Sequence, residues 1–191
     1  MIDHPQQIDT KDVFGVEDSG EIVVTDFVCG INNSGVILSD GSCYVWGANK
    51  NGQLGLGHKK EVPLPTLLTL PKEGEASGLR SFHLGNTFSA AVDTNGNLYT
   101  FGYGGSAYAG MGWLGHGDGE SYLEPKRVES LVEDGCEVKG VHVGENHLAV
   151  LTTEGELLTG KLPLMLFGSI MWDYVTDTNR ICLYIFILLL A

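Results

Sequence analysis

At 191 residues the chain has room for one ordinary domain, and a mixture of 43% hydrophobic with 18% charged residues excludes a disordered polymer. Eleven Lys and Arg against 24 Asp and Glu give a formal charge of −13, which repels phosphate backbones and argues against direct nucleic-acid binding. Glycine is used 27 times, 26 of them within residues 1–160, so many backbone positions there need a positive φ or exclude a side chain.

Residues 1–22 are read as an acidic N-terminal segment. They carry Asp3, Asp9, Asp12, Glu17 and Asp18, unlike the Arg- and Ser-rich, acid-poor import signals. No signal or transit peptide is visible. Cys29, Cys43, Cys136 and Cys182 include no Cys-x-x-Cys pair, which predicts reduced thiols in an intracellular protein of unassigned compartment.

From residue 23 onward the chain repeats itself. Gly30, Gly85 and Gly144 stand 55 and 59 residues apart, and Gly41, Gly96 and Gly155 keep the same two offsets. Each glycine pair brackets a small-residue segment, such as Gly30-Ile-Asn-Asn-Ser-Gly-Val-Ile-Leu-Ser-Asp-Gly41. Ahead of each frame runs an alternating segment, at 24–29, 79–84 and 138–143, which predicts a strand with one covered face. The dipeptides Asp40-Gly41, Asn95-Gly96 and Glu154-Gly155 predict hairpins with both central residues at positive φ. Strands rich in β-branched and aromatic residues follow at 42–46, 97–101 and 156–159. An aromatic-glycine step ending at Gly47 or Gly102 then leads to a fourth, proline-marked segment around Pro65 or Pro125. Proline lacks the ladder donor, which places that segment at a sheet margin. Four-stranded units of this period, with no helix expected between them, predict an all-β radial array of blades: about 23–78, 79–137 and an incomplete 138–159.

The string Ser-Asp-Gly-Ser-Cys-Tyr-Val-Trp-Gly-Ala-Asn-Lys-Asn-Gly-Gln-Leu-Gly-Leu-Gly-His58 resembles the repeat of the regulator of chromosome condensation family. The resemblance implies a partial β-propeller and, for function, a protein-binding ring, which in some members is a guanine-nucleotide exchange factor for a small GTPase. Other members serve as ubiquitin-ligase scaffolds, in organelles or in ultraviolet-B perception. The photoreceptor branch relies on clustered tryptophans and a repeated Gly-Trp-Arg-His-Thr. Here the matching positions read Gly30-Ile-Asn-Asn-Ser, Gly85-Asn-Thr-Phe-Ser and Gly144-Glu-Asn-His-Leu, which argues against it.

The second unit takes twelve steps from Gly102 to Leu114 where the first takes seven from Gly47 to Leu54, an insertion of five residues. Insertions in such arrays map to loops on one face, often the binding face. Tyr103, Tyr108, Met111, Trp113 and His116 are therefore the candidate partner-binding residues, whereas Gly41, Gly47, Gly96, Gly102 and Gly155 are structural turn positions. Within the insertion Gly110-Met-Gly112-Trp-Leu-Gly115 fits G-x-G-x-x-G, yet His116-Gly117-Asp118-Gly119 cannot propagate the helix that a dinucleotide site needs. No cofactor is expected. The scattered histidines, with His142 and His147 five apart, predict no metal site. His58 and His116 are read as turn residues. Ser34, Ser89, Cys29, Asp40 and Asn95 have structural explanations, so no catalytic set emerges; an exchange factor needs none, since it acts by differential binding.

The expected aromatic-glycine step of a third unit reads Gly160-Lys161, and 21 of the 31 residues after 160 are hydrophobic. Residues 160–191 are thus a non-homologous hydrophobic tail. Its longest apolar run, 181–191, has 11 residues, short of the ~20 that span a bilayer as a helix. The codons of Gly160-Lys161-Leu162 can contain the splice-donor sequence GTAAG, which supplies a second reading of the chain: a non-productive fragment made by translation into a retained intron.

Overall fold

The structure is a computed structural model and describes residues 23–71, 78–106, 110–160 and 172–175. Three four-stranded antiparallel sheets follow one another along the chain. The first is β1 (Val24–Cys29), β2 (Asn33–Leu38), β3 (Cys43–Gly47) and β4 (Val62–Leu68), neighbours in that order. In the second, β5 (Leu79–Leu84), β6 (Phe88–Asp93) and β7 (Leu98–Gly102) are followed by a small hairpin of β8 (Gly105–Ser106) and β9 (Gly110–Met111); β10 (Tyr122–Arg127) then pairs with β7. The third is β11 (Val138–Val143), β12 (Leu148–Thr152), β13 (Leu157–Gly160) and β14 (Trp172–Val175). Pro65 and Pro125 lie in β4 and β10, each at a sheet margin, where no ladder donor is missed.

The second sheet is buried on both faces. Ile37, Cys43, Val45 and Leu68 of the first sheet pack on Phe82, Ala91, Tyr99 and Phe101 of the second. The opposite face of the second sheet, with Phe88, Ala90, Val92 and Leu98, packs on Val141, Val150 and Leu158 of the third. Burial of one such side chain contributes about 1.5–3 kcal/mol, so the core is two seams between sheets rather than one centre. Hydrogen bonds pin both seams in the same way: Leu79 N donates to Gly41 O and Val138 N to Gly96 O, each at 2.9 Å.

Four features depart from the sequence expectation. The hairpin turns are not two-residue turns centred on the Asp-Gly dipeptide. Gly41 N donates to Leu38 O at 2.9 Å, Gly96 N to Asp93 O at 3.1 Å and Gly155 N to Thr152 O at 3.1 Å. The glycine is thus the fourth turn residue, and it takes the positive φ of 82°, 82° and 88° that lets the next strand return. Second, β8 and β9 pair antiparallel within the inserted stretch, Gly105 with Met111 and Ser106 with Gly110. Third, a helix does stand between sheets, α1 (Glu129–Glu133), which buries Leu131 in the seam of the second and third sheets; five residues are too few to display a helical period. Fourth, the third sheet has a fourth strand, β14, paired with β13 from Leu157↔Val175 to Gly160↔Trp172. A margin strand accepts any extended segment through its backbone groups, so this pairing does not depend on the repeat pattern.

Candidate protein-binding site

The insertion leaves β7 at Gly102, whose φ of 105° matches the 104° of Gly47 at the same place in the first unit. Gly104 is the crossing point. Its N–H donates to Ser121 Oγ at 3.1 Å, and its carbonyl accepts from Gly112 N at 3.0 Å and Trp113 N at 3.3 Å. A Cβ at residue 104 would lie 1.9 Å from Glu120 O, so only glycine fits. Residues 113–118 form turns and bends, and no helix opens at Gly115.

Tyr103 and Trp113 face inward. Trp113 is 8% exposed and packs against Phe88 with ring centroids 6.1 Å apart. Tyr103 meets the indole edge-on at 5.3 Å. Trp113 therefore anchors the insertion to the second sheet. The reason is positional: counted back from Leu114, Trp113 occupies the place that Gln53 holds before Leu54. Gln53 is buried and donates to Asn86 O of the next sheet at 3.0 Å. Met111 contributes backbone pairing with Gly105, and Tyr108 lies outside the described residues.

Trp113 Nε1 is buried without a hydrogen-bond partner among the described residues. An orphaned donor costs about 1–3 kcal/mol, comparable with the apolar area that phenylalanine would give up. Trp113→Phe is therefore expected to change stability by less than about 1 kcal/mol, read from urea midpoints.

His116 anchors the base of the insertion to β7. Thr100 donates its hydroxyl proton to Leu114 O at 2.5 Å, so His116 Nε2, 2.9 Å away, is the donor to Thr100 Oγ1. Burial, joined by the charge of Lys126, pushes the imidazole pKa down to about 4. Edge-on to His116, at 4.9 Å, lies the ring of Tyr122. Tyr122 donates to Asp118 Oδ2 at 2.7 Å and carries Lys126 Nζ 3.8 Å above its ring centroid. Burial raises the pKa of Asp118, but the Tyr122 hydroxyl, the Glu120 N–H and Lys126 outweigh it, and the net shift is downward. This Asp118–Tyr122–Lys126 set escaped the sequence reading. Its signal was the departure of Asp118 from His58, the residue at the matching place of the first unit. His58 itself caps its turn, accepting from Lys60 N at 3.2 Å through Nδ1.

Because the unfolded chain protonates His116 near 6.5 while the folded chain resists until about 4, the unfolded state binds more protons across that window. Stability therefore falls as pH drops through it. His83, whose pKa burial and His142 also lower, adds in the same direction. Urea midpoints between pH 7 and 4 are expected to decline, and His116→Asn to shrink that decline.

Beside β10 runs a cleft of about 510 Å³, lined by Gly57, Pro71 and residues 121–127. Gly57 N donates to Leu123 O at 2.9 Å there and ties the first unit's loop to the second sheet. Cys29 and Cys43 are free thiols, and burial pushes that of Cys43 up to about 12. Among the described residues no group of three or more metal-ligating side chains converges, and no helix is long and apolar enough to cross a membrane. The arrangement offers a braced loop and a groove, with polar groups committed to holding them.

The model of the regulator of chromosome condensation (RCC1) repeat matches residues 40–92 and 95–151. Each match starts at a hairpin turn and ends in the next sheet's second strand, so one sequence repeat straddles one seam. The mitochondrial RCC1 domain-containing protein RUG3 of Arabidopsis thaliana is 33% identical over 129 residues, 68% of this chain and 26% of the relative. The ultraviolet-B receptor UVR8 of the same plant is 33% identical over 128 residues, 67% of this chain and 27% of the receptor. The chain thus spans about a quarter of the length of these two relatives. Among solved structures, human WBSCR16 superposes with a TM-score of 0.64 at 22% identity, over 84% of this chain and 42% of that one. Prp20p of Saccharomyces cerevisiae, described with its binding to Gsp1p and histones, gives 0.59 at 20%, over 82% and 39%. Two repeat matches in tandem, laid over two seams of identical construction, establish that the chain belongs to the RCC1 repeat family.

Proposed function

We propose that this chain is a protein-interaction module, that its partner-binding element is the insertion on the second blade, and that its partner is a small GTPase whose nucleotide exchange it promotes. The observation that carries the reading is the braced insertion itself. Five residues have been added to an otherwise repeated unit, and the addition is clamped by Gly104, Trp113 and His116. A loop held rigid at its base gives up little entropy on binding. The committed state of His116, and the structural bonds that engage Ser89 and Asp93, fit a role by binding rather than by proton transfer. An exchange factor requires no more, because tighter binding to the nucleotide-free partner is sufficient to release nucleotide. Prp20p, described with its binding to Gsp1p, supports a protein partner for this kind of surface.

Release of a fluorescent guanine nucleotide from a panel of small GTPases, with and without the full chain, tests the proposal. Acceleration that disappears when residues 105–109 are deleted, with the β-sheet circular dichroism retained, is the expected result. No acceleration by soluble, folded chain defeats the exchange reading. Capture of a GTPase without acceleration leaves the interaction module standing and assigns it a scaffolding role.

A further inference from the structure

The loop of the first unit that corresponds to the inserted stretch carries cations that the fold does not use. Lys50, Lys59 and Lys60 are exposed and pair with no carboxylate among the described residues. Arg80, Lys126 and Arg127, by contrast, lie against Glu137, Asp118 and Glu129. In a chain of formal charge −13, three unpaired lysines on one loop make a local pole of opposite sign. The repeat does not ask for these charges. Gly57 and Gly117 hold the same place with φ of 76° and 78°, yet His58 and Lys60 are matched in the second unit by Asp118 and Glu120.

The loop is held from beneath. Asn49 is fully buried; its Nδ2 donates to His58 O at 2.7 Å and its Oδ1 accepts from Leu54 N at 3.0 Å. Lys50 and Lys59 directly follow the two members of that bonded pair, and Lys60 N donates to His58 Nδ1 at 3.2 Å. All three lysines therefore issue from one hydrogen-bonded node, so presenting them to a partner costs little backbone entropy. The insertion is their neighbour. Leu123 O accepts from Gly57 N at 2.9 Å, and Ser121 Oγ accepts from Gly104 N at 3.1 Å. The lysine loop and the base of the insertion are thus rooted two residues apart on one segment and belong to one surface.

We propose that Lys50, Lys59 and Lys60 are the charged flank of the partner-binding surface and take a cluster of carboxylates on the protein that the insertion engages; this rests on the reading of the insertion as the partner-binding element. A folded protein fits this flank better than a phosphate polymer does. Glu61 follows Lys60 in the chain, and Glu124 Oε1 would lie 2.9 Å from a Cβ on Gly57. An extended polyanion crossing the loop meets those carboxylates, whereas an acidic cluster on a folded surface ends where the lysines end. At physiological ionic strength the screening length is ~8 Å, so the negative charge on the rest of the chain does not cancel the contact.

Fluorescence anisotropy of a labelled hexapeptide of alternating aspartate and glutamate, titrated with the full chain at about 0.15 M salt, tests the proposal. Saturation at one peptide per chain is expected. The dissociation constant is expected to rise about fivefold or more in Lys59→Glu and in Lys60→Glu, and to stay in place in Lys139→Glu. Lys139 is an exposed lysine of β11 without an ion pair among the described residues, so its reversal changes the net charge by the same amount away from the loop. All three variants alter exposed side chains and are expected to keep the circular dichroism of the unaltered chain. No binding by the folded, unaltered chain overturns the proposal, and so does equal weakening in Lys139→Glu, which would show a response to bulk charge. Tighter binding of an oligothymidylate of equal charge, or sedimentation with phosphatidylserine vesicles, overturns it in favour of a nucleic acid or a membrane. The peptide contains no GTPase, so its binding is read independently of the exchange assay: peptide binding without exchange keeps the acidic docking site and removes only the exchange reading.

Discussion

Phe82→Ala is expected to cost about 3–5 kcal/mol, and Phe27→Ala, at the same repeat position, about 0.5 kcal/mol or less. Phe82 lies in the seam of the first and second sheets, its ring stacked on Phe101 with centroids 6.2 Å apart. Truncation there forfeits the transfer free energy of a ring and leaves a cavity that two packed sheets cannot close without breaking the Leu79–Gly41 and Gln53–Asn86 bonds on either side. Phe27 projects from the first sheet, so removing its ring leaves no void. A domain of this kind holds only about 5–15 kcal/mol in total, which brings the Phe82 variant close to unfolding at room temperature. With a slope of about 1–3 kcal/mol per molar, the urea midpoint is expected to fall by about 1 M or more for Phe82→Ala and to stay in place for Phe27→Ala. Both are measured at the same protein concentration. Equal effects at the two positions would show that the first sheet's front is covered and would contradict the seam architecture.

The strands were legible because each carries its reasons locally. The segments 24–29, 79–84 and 138–143 are β1, β5 and β11 over the same residues, and the prolines of β4 and β10 declared their margins. The turn geometry was harder. Asp-Gly and Asn-Gly are compatible with two hairpin types, and the choice rests on the hydrogen bonds from Leu38 to Ser42 and from Asp93 to Asn97, which depend on strand register. The inward course of Trp113 was obscured by its residue type, since an aromatic residue in a glycine-rich loop suits an interface and a core equally well. Only its equivalence to Gln53, whose side chain reaches the next sheet, distinguishes the two. Interactions between units, such as Val143 N donating to His83 Nδ1 at 2.6 Å or Arg80 pairing with Glu137 at 3.7 Å, join residues nearly sixty apart and leave no local pattern. The pairing of β14 is the extreme case, because a backbone ladder places almost no demand on side-chain identity.

Gly102→Ala is expected to destabilise the protein about twice as much as Gly117→Ala, although the two glycines have similar dihedral demands. Gly102 has φ of 105° and Gly117 of 78°, so alanine at either place pays a backbone strain of about 1–3 kcal/mol. At Gly117 that is the whole effect, since a Cβ there meets nothing within 4 Å. At Gly102 the Cβ would lie 2.6 Å from Thr87 O and 2.7 Å from Phe88 Cα. Both are backbone atoms, which cannot swing aside as a side chain would. Relief requires β7 to move away from β6, which strains the Tyr103 N to Thr87 O bond of 3.0 Å and pulls Phe88 from the seam with the third sheet. Overpacking of this kind adds about 1–3 kcal/mol. Gly47 repeats the geometry, with a Cβ 2.5 Å from Asn32 O and 2.8 Å from Asn33 Cα, so Gly47→Ala is expected to fall with Gly102→Ala rather than with Gly117→Ala. Thermal and urea midpoints of the three variants decide the point. Because Gly102 also roots the insertion, Gly102→Ala is expected to weaken partner capture at temperatures where the protein is still folded, and Gly47→Ala, on the neighbouring blade, to lose stability alone.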